Sequence, residues 1–72
     1  MTEKEFLKVL GKNIAKARLK ANMSQLDLGS EIIMETTNLS AIENGRQNAS
    51  SLTLKKIADA VGCSVNDLFK GL

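Results

Sequence analysis

Apolar residues recur at three- and four-residue steps through the second half of this chain. One such series is Leu54, Ile57, Ala58 and Val61, and the next is Val65, Leu68, Phe69 and Leu72. Because an α-helix turns once in about 3.6 residues, each series places its apolar side chains on one face of a helix. Two amphipathic helices so close together in sequence predict a compact helical bundle.

The composition also favours helices. The 72 residues are 43% hydrophobic, which is enough for one small core, but only 3% aromatic. The core must therefore be built from aliphatic side chains, which suit packed helices better than a β-sheet. The chain also contains no Pro that would interrupt a helix. We therefore predict an all-α fold in a single domain over residues 1–72, a compact five-helix bundle.

Capping residues divide the chain into its predicted helices. Thr2 with Glu5 forms a capping-box signature, Ser24 is a favourable N-cap, and Ser64 is followed three residues later by Asp67. Gly and Asn residues, which accept the left-handed conformation common just past a helix end, supply the stops. The predicted helices cover residues 3–21, 25–32, 36–43, 51–61 and 65–70.

Missing residue types exclude several functions. The chain has no His and a single Cys, so it can form neither an internal disulfide nor a Cys–His site for metal binding or catalysis. We therefore predict no enzyme, no metal and no cofactor. No apolar run approaches the ~20 residues of a membrane span, and no signal-type hydrophobic stretch follows the charged N-terminus. We expect a cytoplasmic protein with no membrane partner.

Charge is distributed unevenly along the chain. The net charge of +2 permits a polyanionic partner without requiring one. Residues 1–21 contain six basic and two acidic residues, a net charge of +4, whereas residues 22–45 contain four acidic residues and no Lys or Arg, a net charge of −4. Any polyanion bound near the middle of the chain must be attracted by Arg46, by Lys55 or Lys56, or by the first helix.

The predicted second and third helices are short and joined by a turn of a few residues. This arrangement is typical of the DNA-binding helix-turn-helix, here Ser24 to Gly45, whose second helix enters the major groove. Only the residue types at particular positions distinguish a helix-turn-helix from an ordinary pair of helices. The informative residues are Ile14, Arg18, Ser24-Gln25, Leu28-Gly29, Leu39-Ser40, Ile42, Glu43-Asn44-Gly45-Arg46, Leu52, Leu54, Ile57-Ala58, Val61-Gly62, Ser64-Val65 and Leu68-Phe69.

With these residues the chain resembles the lambdoid phage repressor family, also called the Xre family, from about Leu10 to Phe69. The Lys-bearing extension before Leu10 and the stand-alone size are similar to the controller proteins of restriction–modification systems. The resemblance implies that Arg18 and Glu43 form a partly buried structural ion pair between the first helix and the end of the recognition helix. Gly29 is expected where the second and third helices cross closely.

The turn between these two helices departs from the family pattern at Ile33. The family usually has Gly there, in a left-handed conformation that costs a β-branched residue about 1 kcal/mol or more. Either Ile33 adopts this conformation at that cost, or the turn is rebuilt.

The resemblance and the chemistry of the side chains predict two sets of DNA contacts. Ser24 and Gln25 lie at a helix N-terminus, which favours a phosphate, although Ser24 could serve only as a cap. The other expected phosphate-binding residues are Asn44, Arg46, Gln47 and Asn48, for which a solvated loop is the alternative. The expected base-reading residues are Thr36, Thr37, Asn38, Ser40 and Ala41. One of the two Thr residues could instead cap the third helix, because Glu35 stands where the family has Ser or Thr.

These inferences predict a sequence-specific transcriptional regulator. A single short recognition helix reads few base pairs, so we expect a homodimer on an inverted-repeat operator in double-stranded DNA, with half-sites about 34 Å apart. Phe69 and Leu72 are the candidates for the dimer interface, unless they simply complete the core. RNA polymerase is a further candidate partner. The alternative is a protein-interaction module of antirepressor or antitoxin type that binds no DNA, as suggested by the acidic middle segment and by Leu26, where the family has a polar residue.

Overall fold

A computed structural model describes all residues, 1–72, as five α-helices and no β-strand. The helices are α1 (Glu3–Lys20), α2 (Gln25–Ile32), α3 (Thr36–Glu43), α4 (Ser51–Val61) and α5 (Val65–Leu68). The all-α prediction is confirmed. Three helices have the predicted bounds, whereas α1 ends one residue and α5 two residues earlier than predicted.

The early end of α5 has a cause outside the helix. The side chain of Asn13, on α1, donates from Nδ2 to the carbonyl oxygens of Leu68 and Lys70, both at 2.8 Å. These bonds satisfy carbonyl groups that a longer helix would have used, and the chain then turns through Gly71 at φ +79°. A partner 55 residues away from Leu68 in the sequence therefore sets the helix end.

Side-chain caps begin four of the five helices. Thr2, Ser24, Ser50 and Ser64 each accept a backbone N–H of the first turn. In three of these caps a carboxylate completes the box by accepting the backbone N–H of the cap residue, and this bond lowers the pKa of Glu5, Asp27 and Asp67. Because these pKa values are lowered in the folded chain, the three caps stabilise it above the ordinary carboxyl pKa. They weaken as pH falls through the lowered values.

The core gathers aliphatic side chains from all five helices. Ile14 of α1, Leu28 of α2 and Leu39 of α3 are fully buried, together with Ile57 of α4, and Leu68 of α5 closes the cluster. This is the outcome that the three- and four-residue spacing predicts, because each helix turns one apolar face inward. The short α2 and α3 are thereby held against the longer α1 and α4.

Two glycines inside helices mark close approaches of the backbone. A Cβ atom on Gly11, in the middle of α1, would lie 2.5 Å from the carbonyl oxygen of Ile42 and closer still to that of Glu43. The end of α3 thus lies directly on α1. The expectation that Gly29 lies at a close crossing of α2 and α3 is wrong. A Cβ on Gly29 would lie 2.6 Å from the carbonyl oxygen of Met34, in the turn, but 3.9 Å from the nearest α3 side-chain atom, in Thr36. Gly29 makes room for the turn rather than for a helix crossing.

The turn keeps the left-handed geometry in spite of its side chain. Ile33 has φ +56° and ψ +57°, and the N–H of Met34 donates to the carbonyl oxygen of Gly29 at 2.8 Å. Ile33 therefore adopts the strained left-handed conformation, and the turn is not rebuilt. The side chain is 93% exposed, so no packing of its own offsets the strain.

Replacing Ile33 with Gly is therefore expected to stabilise the protein. Glycine removes a left-handed penalty of about 1–2 kcal/mol, and its greater freedom in the unfolded chain cancels part of that gain, so we expect a net increase of about 0.5–1 kcal/mol. Urea denaturation followed by circular dichroism measures the change. Leu26→Gly is the control, since Leu26 is also exposed but lies inside α2, where glycine is expected to destabilise by about 1 kcal/mol. A decrease in both variants would contradict strain at Ile33.

Candidate nucleic-acid interface

The first half of α3 presents polar side chains around a buried anchor. Leu39 is fully buried and fixes the helix on the core, whereas Thr37 and Asn38 are exposed and Thr36 and Ser40 are half-buried. Ala41, the remaining residue of the predicted base-reading set, directly follows Ser40 and is also half-buried. The sequence pattern thus gives α3 one apolar face for packing and one open face made of hydroxyl and amide groups.

Neither threonine serves as the N-cap of α3. That position belongs to Glu35, whose side chain makes no capping hydrogen bond. The structure therefore removes the alternative that one Thr is only a cap. Both hydroxyl groups remain at the open N-terminal end of α3.

A shallow polar groove joins the two predicted sets of contact residues. Its volume is about 340 Å³, and it contains no hydrophobic lining residue. The lining residues are Gln25, Thr36, Thr37, Ser40 and Arg46. Three predicted base-reading residues thus share one concave surface with two predicted phosphate-binding residues, while Asn38 and Ala41 lie outside that lining.

A buried ion pair anchors the other end of α3. Arg18 donates from Nε to Oε2 of Glu43 at 2.7 Å and from Nη2 to Oε1 at 3.0 Å, a two-point contact. The hydrogen bond to Glu43 raises the pKa of Arg18, and burial opposes that shift. The predicted partners are therefore in direct contact, with side chains only 11% and 5% exposed.

Two further bonds extend this ion pair into a network. Gln25 donates from Nε2 to Oε1 of Glu43 at 3.0 Å, and Nη1 of Arg18 donates to the carbonyl oxygen of Met23 at 2.9 Å. Glu43 thereby links α1, the N-terminus of α2 and the end of α3. Sequence reasoning missed the contribution of Met23, because a backbone carbonyl carries no residue-type signal. Gln25 braces α3 and still borders the groove.

The loop after α3 leaves the helix through a fixed turn. The N–H groups of Gly45 and Arg46 donate to the carbonyl oxygens of Ile42 and Ala41, and Gly45 has φ +74°, which together form a Schellman motif. This motif fixes the backbone from which Arg46 projects. Its guanidinium takes part in neither of the two salt bridges of the chain.

The other predicted loop residues differ in what their side chains already bind. Asn44 donates from Nδ2 to the carbonyl oxygen of Ser40 at 2.8 Å and to its Oγ at 3.3 Å, so this amide closes the helix end. Asn48 accepts the N–H of Ala49 at 2.8 Å, and Gln47 is exposed. At the other edge of the site, Ser24 accepts the N–H of Asp27 as a true cap. Arg46 is thus the cation of this set that stays free for a phosphate.

A family model described as "Helix-turn-helix" matches residues 14–68 of the chain. The chain belongs to this helix-turn-helix family. The match includes α2, the turn at Ile33 and α3, and it ends at the last residue of α5. The resemblance inferred from the sequence is thereby confirmed.

Individual relatives of this helix-turn-helix protein include regulators. It is 34% identical over 53 residues to the control protein C.MunI of Mycoplasma sp, covering 74% of this chain and 72% of that protein. The crystal structure of the clp gene regulator ClgR from Corynebacterium glutamicum is 26% identical, with a TM-score of 0.86, over 89% of this chain and 82% of ClgR.

A third similarity concerns the fold alone. The restriction–modification controller protein C.AhdI from Aeromonas hydrophila is 24% identical and has a TM-score of 0.83, over 88% of this chain and 96% of that chain. The two proteins therefore share their fold over most of both chains.

The predicted dimer residues of this helix-turn-helix protein lie where α5 meets α1. Phe69 is half-buried against the core, and its ring centroid is 6.2 Å from that of Phe6. Leu72 is 37% exposed and Phe6 is 36% exposed. Phe69 thus completes the packing between α1 and α5, and Phe6 and Leu72 leave apolar surface beside it. None of the helices is long and apolar enough to cross a membrane.

Proposed function

We propose that this helix-turn-helix protein, a DNA-binding transcriptional regulator, acts as a homodimer on an inverted-repeat operator with α3 in the major groove. The polar groove that brings Thr36, Thr37 and Ser40 together with Gln25 and Arg46 is the observation that carries the proposal. Helix-turn-helix proteins dock with the N-terminal residues of the second helix on base edges, which is the end of α3 that borders this groove.

The reading surface favours many modest contacts over a few strong ones. Thr side chains can accept or donate a hydrogen bond and present a methyl group to thymine, and Asn38 can serve adenine N6 and N7. No Lys or Arg lies on α3, so the two-point contact of Arg with guanine is absent. Specificity would therefore come partly from DNA shape and partly from the use of two half-sites.

The phosphate contacts would lie on both sides of α3. Gln25 and Ser24 stand at the N-terminus of α2, where the helix dipole and free N–H groups favour an anion. Arg46, Gln47 and Asn48 follow α3. Arg46 supplies a positive charge directly after residues 22–45, which contain none, so we expect it to bind a phosphate beside α3.

The proposed subunit interface uses the apolar surface at the end of the chain. Phe69 packs against Phe6 where α5 meets α1, and Leu72 follows Phe69 by three residues, so we propose that these side chains form one apolar patch. A twofold contact through one such patch would make it meet its own copy, as a homodimer requires. RNA polymerase is a partner through which a regulator bound near a promoter would act, and we assign no residue to that contact.

Fluorescence anisotropy with DNA from upstream of the protein's own gene tests the proposal. We expect salt-sensitive binding that is at least a hundredfold tighter than to random DNA. Arg46→Ala should lower the affinity and reduce the slope of log K against log salt by about 0.9, the value for one lost phosphate contact. Lys20→Ala is the matched control, because it removes the same charge from a groove between α1 and α5.

A second candidate function rests on the surface of α2 and the turn. Leu26 and Ile33 are exposed apolar residues flanked by Asp27, Glu31 and Glu35, a surface better suited to a protein than to DNA. In that case the fold would serve as a protein-interaction module. No anisotropy change with any duplex at low salt would favour this second function and reject the first.

A further inference from the structure

We propose that Lys8, with Lys4 one helical turn before it, forms a second phosphate-binding surface that continues the footprint of Arg46 onto α1. This inference rests on the proposed function, since it names a further contact with the same DNA. The ligand is the sugar-phosphate backbone, not a base. No residue of α1 other than the structural Arg18 was assigned to the site from the sequence.

The contact between α1 and the end of α3 carries the proposal. A Cβ atom on Gly45 would lie 2.8 Å from Cα and 2.9 Å from Cγ of Lys8. Lys8 is therefore in contact with the residue that immediately precedes Arg46 in the chain. The same close approach continues at Gly11, one turn further along α1, which touches Ile42 and Glu43.

Four of the five lysines of α1 form two groups around the helix axis, and Lys12 lies between these groups, about 100° from Gly11. At about 100° per residue, Lys4 and Lys8 lie within about 60° of Gly11, the residue that faces α3. On the same scale Lys16 and Lys20 lie about 140° and 180° from Gly11. The structure agrees with this division, because Lys16 and Lys20 line a groove together with Cys63, Asp67 and Lys70 on the α5 side.

The charge of Lys4 and Lys8 is not neutralised within the protein. Both side chains are exposed, and neither takes part in the two salt bridges of the chain. Glu5 is the acidic residue nearest to Lys8 along α1, and its Oε1 accepts the N–H of Thr2 at 2.9 Å. By contrast, Lys20 contributes to lowering the pKa of Asp67, so it already acts on an acidic neighbour.

The acidic middle of the chain would repel DNA unless nearby cations offset its charge. Residues 22–45 bring a net charge of −4 towards a polyanion, and among the residues lining the groove only Arg46 is basic. Adding Lys8 and Lys4 would place three positive charges at one border of α3. Ordinary solvation of exposed lysines is the alternative, and it predicts that all lysines of α1 behave alike.

The test compares equal charge changes on opposite faces of one helix. Binding of the wild-type protein to the upstream DNA and to random DNA is measured by anisotropy over a range of salt concentrations. The test variants are Lys8→Gln and Lys4→Gln, singly and together, and the controls are Lys16→Gln and Lys20→Gln. Circular dichroism verifies that each variant is folded, as expected for exposed positions.

We expect Lys8→Gln to reduce the salt slope by about 0.9, and the double variant by about 1.8, on both DNAs. A slope change of this size means that the ratio of wild-type to variant affinity is roughly eightfold larger at 0.1 M salt than at 1 M. The control variants should stay close to the wild-type slope. Equal changes in all four positions, or none at Lys8, would overturn this inference and leave the proposed function intact. If the wild-type protein bound neither DNA, the proposed function itself would be rejected.

Discussion

Replacing Glu43 with Gln is expected to lower the free energy of unfolding by about 3 kcal/mol. The substitution keeps the shape of the side chain but leaves the guanidinium of Arg18 buried without its negative partner. It also weakens the bond with Gln25, which shares Oε1 of Glu43. A small domain has a total stability of about 5 kcal/mol, so the loss should be visible as a large shift of the urea midpoint measured by circular dichroism.

Lys55→Gln is the matched control for this loss. Lys55 and Asp59 form the other salt bridge of the chain, at 2.8 Å, but their side chains are 64% and 61% exposed. Solvent screens such a pair, so breaking it should change stability by about 0.5 kcal/mol or less. Similar losses of stability in the two variants would show that burial does not make the Arg18–Glu43 pair more costly to break than an exposed pair.

The double variant Arg18→Met/Glu43→Leu separates the strength of the ion pair from the penalty of breaking it. Removing both charges leaves no unpaired buried charge, so we expect the double variant to be clearly more stable than Glu43→Gln. Its DNA affinity should nevertheless fall, because Gln25 would have lost the acceptor that braces α3. The network would then be understood as a device for positioning the recognition helix.

The fold could be predicted where the signal is local. The spacing of Leu54, Ile57 and Ala58 predicts a helix and its buried face, and the caps at Ser24 and Ser64 depend on neighbours three residues away. The site required more than local pattern, because the Arg18–Glu43 pair came from the family resemblance and its two ends are 25 residues apart.

The features that the sequence did not predict depend on distant partners or on atoms common to all residues. Asn13 ends α5 from 55 residues away, and Met23 binds Arg18 through its backbone carbonyl. At Ile33 the residue type argued against the left-handed turn, yet the chain adopts it between α2 and α3. Gly11 gave a weak signal, a glycine inside a long helix, which can mark a close approach by another backbone.

Gly11→Ala is expected to destabilise the protein by about 2 kcal/mol, although alanine is the better helix former. The added methyl group would lie 2.5 Å from the carbonyl oxygen of Ile42, and backbone cannot yield as a flexible side chain does. Overpacking costs about 1–3 kcal/mol, and the upper end applies here because the methyl group meets two backbone carbonyl oxygens, those of Ile42 and Glu43. A gain of about 1 kcal/mol in helix propensity then leaves a net loss of about 2 kcal/mol. Lys12→Gly and Lys12→Ala, at the next, exposed position, measure the glycine-to-alanine gain on the same helix.

The consequences of Gly11→Ala should extend to DNA binding, because this contact fixes how α3 sits on α1. Moving the helices apart would lengthen the Arg18–Glu43 bonds on one side of Gly11 and separate Lys8 from the Arg46 loop on the other. In buffer without urea, at a temperature where the variant is still folded, we therefore expect weaker binding to the upstream DNA and a smaller salt slope. A variant that loses stability but binds DNA with the wild-type slope would show that the phosphate contacts do not depend on this packing.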